Sequence, residues 1–126
     1  MHFQKHEHYA FLFMGELTRQ GRKKLIPLTS VSRDHGVSLP FLKKIVRSLR
    51  IAGLVKSKEG VGGGYTLARN PQSISLWEIV SAMSAQEPVH TACPLNTSCL
   101  PQHIRARLTD SIRERLEKIS LKEVAR

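Results

Sequence analysis

A chain of 126 residues with 40 % apolar content is long enough for one domain with a modest core, or for one domain with an appended helix. No apolar run approaches the roughly 20 residues of a membrane span, and the start MHFQKHEHYAF is too polar and too rich in His for a secretory signal, so the expectation is a soluble, cytoplasmic protein with no membrane partner. The net charge of +10 is concentrated, because eleven Lys and Arg from Arg19 to Lys58 stand against one acid, Asp34, while the rest of the chain is balanced. That footprint calls for a polyanion partner and places the positive field in one part of the fold. Ribosomal and membrane-surface proteins share the sign, so architecture has to separate them.

In chain order, His8 to Arg19 carries Tyr9, Leu12, Phe13 and Leu17 with Phe11 and Met14 besides. This predicts a helix that is apolar over more than half its circumference and buried on two sides, the second of which a partner subunit could cover. After the polar GRKK break, Leu28 to Gly36 reads as a short helix ended by its glycine. Ser38 is placed to cap the next helix, Pro40 sits in its first turn, and Leu42, Ile45, Val46 and Leu49 follow at helical spacing to about Ala52. Lys43, Lys44, Arg47 and Arg50 are left on the outer face. A helix, a tight Gly-Val-Ser turn and a basic helix form a DNA-reading arrangement.

Gly53 breaks that helix, and a strand from Leu54 to Ser57 and its antiparallel return from Tyr65 to Ala68 flank a glycine turn at Gly60, Gly62, Gly63 and Gly64. A nucleotide phosphate loop is excluded, since strand-like Tyr-Thr-Leu follows the glycines and no lysine stands where a phosphate would need one. Directly behind a basic helix, the hairpin reads as a wing whose bare tip can lie against a phosphate chain or a minor groove, with Lys56 and Lys58 supplying charge. Ser75 to Glu78 is a capping box that opens a short helix with Leu76, Ile79, Val80 and Met83 inward and Trp77 packing. From Ser84 to Leu100 there is no apolar period, and both cysteines lie there. Pro101 starts a last helix in which Ile104, Leu108, Ile112 and Leu116 recur every four residues and Ile119 follows. Such a narrow stripe suggests a dimer helix, with a helix packed only on its own domain as the other reading.

The expected fold class is therefore mainly α with a small β-hairpin, a winged helix-turn-helix plus a long C-terminal dimerisation helix. Its parts are a DNA-binding domain over residues 1–84, a cysteine-bearing sensor loop over 85–100, and a dimerisation helix and tail over 101–126. GVSLPFLKKIVRSLRIAGLVKS, then EGVGGGYTLAR, ISLWEIV, a cysteine loop and a helix ending ISLKEV together resemble the IscR and NsrR family of bacterial winged-helix transcription regulators, from about His2 to Val124. The resemblance implies a homodimer on pseudo-palindromic double-stranded DNA, a repressor, with the second helix in the major groove and the wing over the minor groove. By position, the family's groove-reading residues fall on Ser38, Pro40, Lys43, Lys44 and Arg47, and its wing contacts on Lys58, Glu59 and Gly60. Family members often carry arginine where this chain has Glu59, so either Lys58 substitutes or the operator is chosen differently.

Many members of that family hold an iron-sulfur cluster, which the resemblance implies here as a [2Fe-2S] or related cluster sensing iron, nitric oxide or redox state. Cys93 and Cys99 are spaced so that two thiolates can converge across a loop. Cluster-bearing relatives usually have three cysteines, and the first would fall near Glu87, so His8, His35 or His103, with His90 beside the loop, are the candidate further ligands. Regulation without a cluster, by thiol oxidation, a small molecule or a partner protein, is the alternative. An enzyme using Cys93 or Cys99 as nucleophile lacks an accompanying oxyanion loop and paired carboxylates, and no catalytic residue is expected.

Overall fold

The computed structural model of the chain describes residues 5–84 and 100–125. Its elements are α1 (Lys5–Gln20), α2 (Leu28–His35), α3 (Leu39–Ile51), β1 (Val55–Lys58), β2 (Gly64–Leu67), a 3₁₀ turn at Pro71–Ser73, α4 (Leu76–Ser84), α5 (Leu100–Glu117) and α6 (Leu121–Val124). The winged helix-turn-helix expected from the sequence is the fold observed. Among the described residues no helix is long and apolar enough to cross a membrane.

One core organises these elements. Ala10, Phe13, Met14 and Leu17 of α1, Leu28 and Val31 of α2, and Leu42, Ile45, Val46 and Leu49 of α3 meet Val55, Leu67, Ile79 and Met83 in a single buried cluster. α1 packs against α3, α4, α6 and β2. α4 and α6 thus pack on α1 within the same chain, while Tyr9, Phe11 and Leu12 remain half-buried.

Each predicted strand is displaced by one residue. The Leu54 N–H donates to the Leu49 carbonyl at 3.0 Å, so Leu54 belongs to the exit turn of α3 and β1 starts at Val55. Its own carbonyl still accepts the Ala68 N–H at 3.0 Å, and the hairpin register runs Val55 with Leu67 to Lys58 with Gly64. Ile26 adds a third strand-like contact that the sequence reading does not contain, because it exchanges two backbone hydrogen bonds of 2.9 Å with Tyr65. Gly64 is where this matters. A Cβ there would lie 2.7 Å from the Ile26 carbonyl carbon, so only glycine lets the 25–27 segment close on the wing.

The C-terminal part departs further from expectation. The helix expected to continue through ISLKEV stops at Glu117, and Ser120 opens a separate α6 with its own capping box to Glu123. The turn between them is sewn to the start of α4, with Leu76 N–H donating to Ile119 O at 2.9 Å and Leu121 N–H to Ile74 O at 2.8 Å. Leu121 is thereby buried in the core. The box at Ser75 is present as predicted, with Ser75 N–H to Glu78 Oε2 at 2.9 Å and Glu78 N–H to Ser75 Oγ at 3.3 Å. Trp77 is a packing residue in an additional sense, since its ring faces the Arg113 guanidinium at 5.7 Å and holds α5 on α4.

Candidate nucleic-acid interface

The two helices that would read DNA are joined by a turn fixed from both sides. Val37 N–H donates to Ser32 O at 3.2 Å, Ser32 Oγ donates to Val37 O at 2.5 Å, and the Val37 side chain is buried. Ser38 stands at the N-cap of α3, but its side chain makes no capping bond. The helix starts instead on the Ser38 carbonyl, which accepts Leu42 N–H at 3.0 Å, and on Pro40, whose fixed φ suits a first turn. The exposed Ser38 hydroxyl is therefore not used by the helix. With Leu42, Ile45, Val46 and Leu49 in the core, the 3.6-residue period leaves Pro40, Lys43, Lys44, Arg47 and Arg50 on the exposed face.

Lys56, Lys58, Glu59 and Gly60 are exposed on the hairpin. Gly60 has φ 99° and its carbonyl accepts Gly63 N–H at 3.0 Å, which closes the tip around Val61. α1 runs alongside both α3 and the hairpin and relates their directions. Tyr9, near its start, meets Phe41 of the first turn of α3 edge-on at 5.7 Å. Phe13, further along, meets Tyr65 at 6.2 Å, next to the tip end of β2. Beyond the end of α1, an Arg22 Nη donates to Ala68 O at 3.3 Å, at the base of the hairpin. The first turn of α3 and the wing tip thus lie toward one end of α1, and the hairpin base lies toward the other.

That geometry divides the positive segment. Lys43, Lys44, Arg47, Arg50, Lys56 and Lys58 belong to the exposed surface of α3 and β1, and among the described residues none of them has an acidic partner. Arg22, Lys23 and Lys24 sit instead near the hairpin base, where Thr66 Oγ1 donates to Arg22 O at 3.0 Å, and Arg19 is paired with Glu16 at 2.6 Å. The antiparallel contact of Ile26 with Tyr65 places residues 22–24 beside the hairpin base rather than its tip.

Of the candidate metal ligands, Cys93, Cys99 and His90 lie outside the described residues. His8 is exposed on α1 with its ring at 5.1 Å from that of Tyr9. His35 ends α2, with Nε2 at 3.9 Å from Glu16 Oε2, and His103 is exposed on α5. His8 and Glu16 are eight positions apart on one helix, roughly 12 Å of axial rise. One site within a protomer can therefore use His8 or His35 but not both. Among the described residues no three His, Cys, Asp or Glu side chains are grouped closely enough to hold a metal ion.

α4 connects this surface to the cysteine segment. Its last residue is Ser84, and in its first turn Glu78 Oε1 accepts from an Arg69 Nη at 2.6 Å, which ties it to the exit of β2. Burial pushes the Glu78 carboxyl up, but the Ser75 N–H, the Arg69 guanidinium and the Ser75 hydroxyl outweigh it and hold the carboxyl below its ordinary range.

Residues 3–126 match the Rrf2 family, described as "Iron-dependent Transcriptional regulator". The chain belongs to that family. The transcriptional regulator IscR of Aliivibrio salmonicida is 31 % identical over 121 residues, covering 92 % of this chain and 72 % of the relative. Among solved structures, CymR, the global cysteine regulator of B. subtilis, superposes with a TM-score of 0.77 at 26 % identity, covering 99 % of this chain and 96 % of CymR. T. potens IscR superposes with a TM-score of 0.75 at 28 % identity, over 97 % and 84 %. This Rrf2 protein is accordingly a transcriptional regulator related to IscR and CymR, and its helix-turn-helix and wing are those of a DNA-binding fold.

Proposed function

We propose that this Rrf2 protein is a cytoplasmic homodimeric repressor that reads a pseudo-palindromic operator and changes its affinity with the state of Cys93 and Cys99. The observation that carries the reading is the surface of α3 and β1, where six cations, without acidic partners among the described residues, lie on the helix and hairpin that this fold turns to a duplex. Ser38, Pro40, Lys43, Lys44 and Arg47 would meet base edges and phosphates in the major groove, and Lys56, Lys58, Glu59 and Gly60 would lie along the adjacent backbone and minor groove. Dimer formation is supported by α5, on which Ile104 is 50 % and Leu108 58 % exposed. A second copy of the same helix would cover that stripe and set two reading heads on two half-sites.

The donor chemistry of two thiolates with an imidazole fits an iron-sulfur group. Cys93 and Cys99 would hold it with His8, His35 or His103, and when bound it would supply a centre whose charge changes with redox state. His35 would tie that centre to the helix pair, because it ends α2 immediately before the turn into α3. α4 offers the second link, since it runs from the Arg69–Glu78 contact at the wing to the start of the cysteine segment. Through this second link, a change at Cys93 and Cys99 biases the wing by shifting α4 between two arrangements with different DNA affinity.

The test is selection of bound sites from random duplex DNA, with protein purified anaerobically and then oxidised, beside an absorption spectrum and an iron and sulfide assay. A palindromic consensus bound with different affinity by the two preparations is the expected result. Colourless, iron-free protein after reconstitution, still redox-sensitive and made insensitive by Cys93→Ala, would favour the thiol alternative. Insensitivity of the parent would remove the sensor.

A further inference from the structure

The first turn of α3 is built on by α1 as well as by its own helix-turn-helix partner. Phe41, which follows Pro40, receives three side chains from the start of α1. The His6 ring lies at 5.1 Å and the Tyr9 ring at 5.7 Å from its centroid, and the Lys5 ammonium sits over its face at 5.1 Å. Lys5 is exposed and, among the described residues, has no acidic partner. Lys5 lies outside the basic segment from Arg19 to Lys58.

We propose that Lys5 is a DNA-backbone contact: its ammonium, held over Phe41, closes on a phosphate flanking the first turn of α3, so that α1 grips the duplex alongside α3 and the wing. This rests on the reading that α3 enters the major groove. An α-helix with side chains is about 10–12 Å across and the groove is about 12 Å wide. A helix that occupies the groove leaves no room for a second element beside it, so whatever flanks its inserted turn faces the sugar-phosphate wall. Lys5 flanks that turn. The contact it makes is therefore independent of sequence, unlike those of Lys43 or Arg47 on α3 itself.

Phe41 is the positioning residue. An exposed cation–π contact is weak, so it restricts where the ammonium sits without preventing a charge-assisted bond to phosphate. A lysine already confined near its target loses less rotamer freedom on binding than one free in solvent. The Phe41 ring is itself held by Tyr9 and His6, which fixes the site through α1 packing.

The probes are the duplex selected with the parent protein and an unrelated duplex of equal length, titrated by fluorescence anisotropy over a range of salt. Lys5→Ala is expected to weaken both by roughly five- to ten-fold near 0.1 M salt and to lower the slope of log affinity against log salt by about 0.9, the value for one phosphate contact. Lys5→Arg should restore slope and affinity. Phe41→Leu, which keeps the charge but not its seat, should leave the slope and cost a smaller factor, with no further loss from Phe41→Leu in the Lys5→Ala background.

Parental slope and affinity in Lys5→Ala, with Lys43→Ala and Lys58→Ala weakened, would overturn the Lys5 contact alone. A loss confined to the selected duplex would make Lys5 a base reader and overturn it equally. Parental binding by all three variants would overturn the placement of the duplex and this inference with it.

Discussion

α3 and α5 have the same kind of sequence, an apolar stripe at helical spacing among many charges, and the fold gives them opposite fates. In α3 the stripe of Leu42, Ile45, Val46 and Leu49 is buried and the cations are exposed, without acidic partners among the described residues. In α5 Ile104 and Leu108 are exposed, whereas Arg113 pairs with Glu117 at 2.7 Å and Glu114 with Lys118 at 3.7 Å. What each helix leaves unsatisfied indicates what it needs from outside. α3 lacks anions, and α5 lacks apolar surface.

The largest expected effect breaks the α5 side of this contrast. Replacing Ile104 and Leu108 together by Glu removes four apolar side chains from a two-fold interface, each contributing about 1.5–3 kcal/mol when fully buried. Sedimentation at micromolar protein should then show a monomer with parental helix content. A dimer that survives the double change would show that this stripe is not where two copies meet. Next in size, Leu49→Ala, at a side chain with no exposed surface, should lower unfolding stability by about 2–5 kcal/mol in chemical denaturation. Leu108→Ala, compared with the parent at a protein concentration low enough to dissociate both, should stay within about 0.5 kcal/mol. Equal losses would erase the distinction between the two stripes.

The α3 side is sharpened by its cations. Lys43→Ala should cost about 1–3 kcal/mol of discrimination between the selected duplex and one with a single changed base pair. Lys58→Ala should weaken all duplexes alike and reduce the salt slope by about 0.9. Identical behaviour of the two variants would mean that α3 touches only backbone. The smallest effect tests the link between wing and α4. Because the Glu78 carboxyl is held below its unfolded value, it contributes stability that is complete above about pH 4.3, the ordinary glutamate value, and is lost as pH falls through the lower folded value. The pair is 41 % and 38 % exposed, so the contribution is under about 1 kcal/mol. Glu78→Gln should flatten that acid limb of the stability curve and leave the region near pH 7 only slightly lowered.

The helix pair, the wing, the box at Ser75 and the outward cations of α3 were legible because each depends on residues within about one helical turn or one hairpin of each other. Ser120 and Glu123 carry the same box spacing and could have been read as a new helix start, but the regular Ile104 to Ile119 period masked the break. No local pattern announces that Phe41 will be surrounded by Lys5, His6 and Tyr9.

The sequence by itself determined which faces are apolar, where the helices of the helix-turn-helix begin and end to within a few residues, and that a basic helix precedes a glycine-tipped hairpin. Only the tertiary structure decided that Ile26 closes on Tyr65, that residues 22–24 are carried away from the wing tip, that Leu121 returns to the core, and that α1 sets a cation beside the first turn of α3. The physical reason is range. Periodicity and capping are satisfied by neighbours in the chain, whereas the pairing of Ile26 with Tyr65 or the seating of Lys5 on Phe41 is selected by close packing and backbone hydrogen bonding between segments nearly forty residues apart.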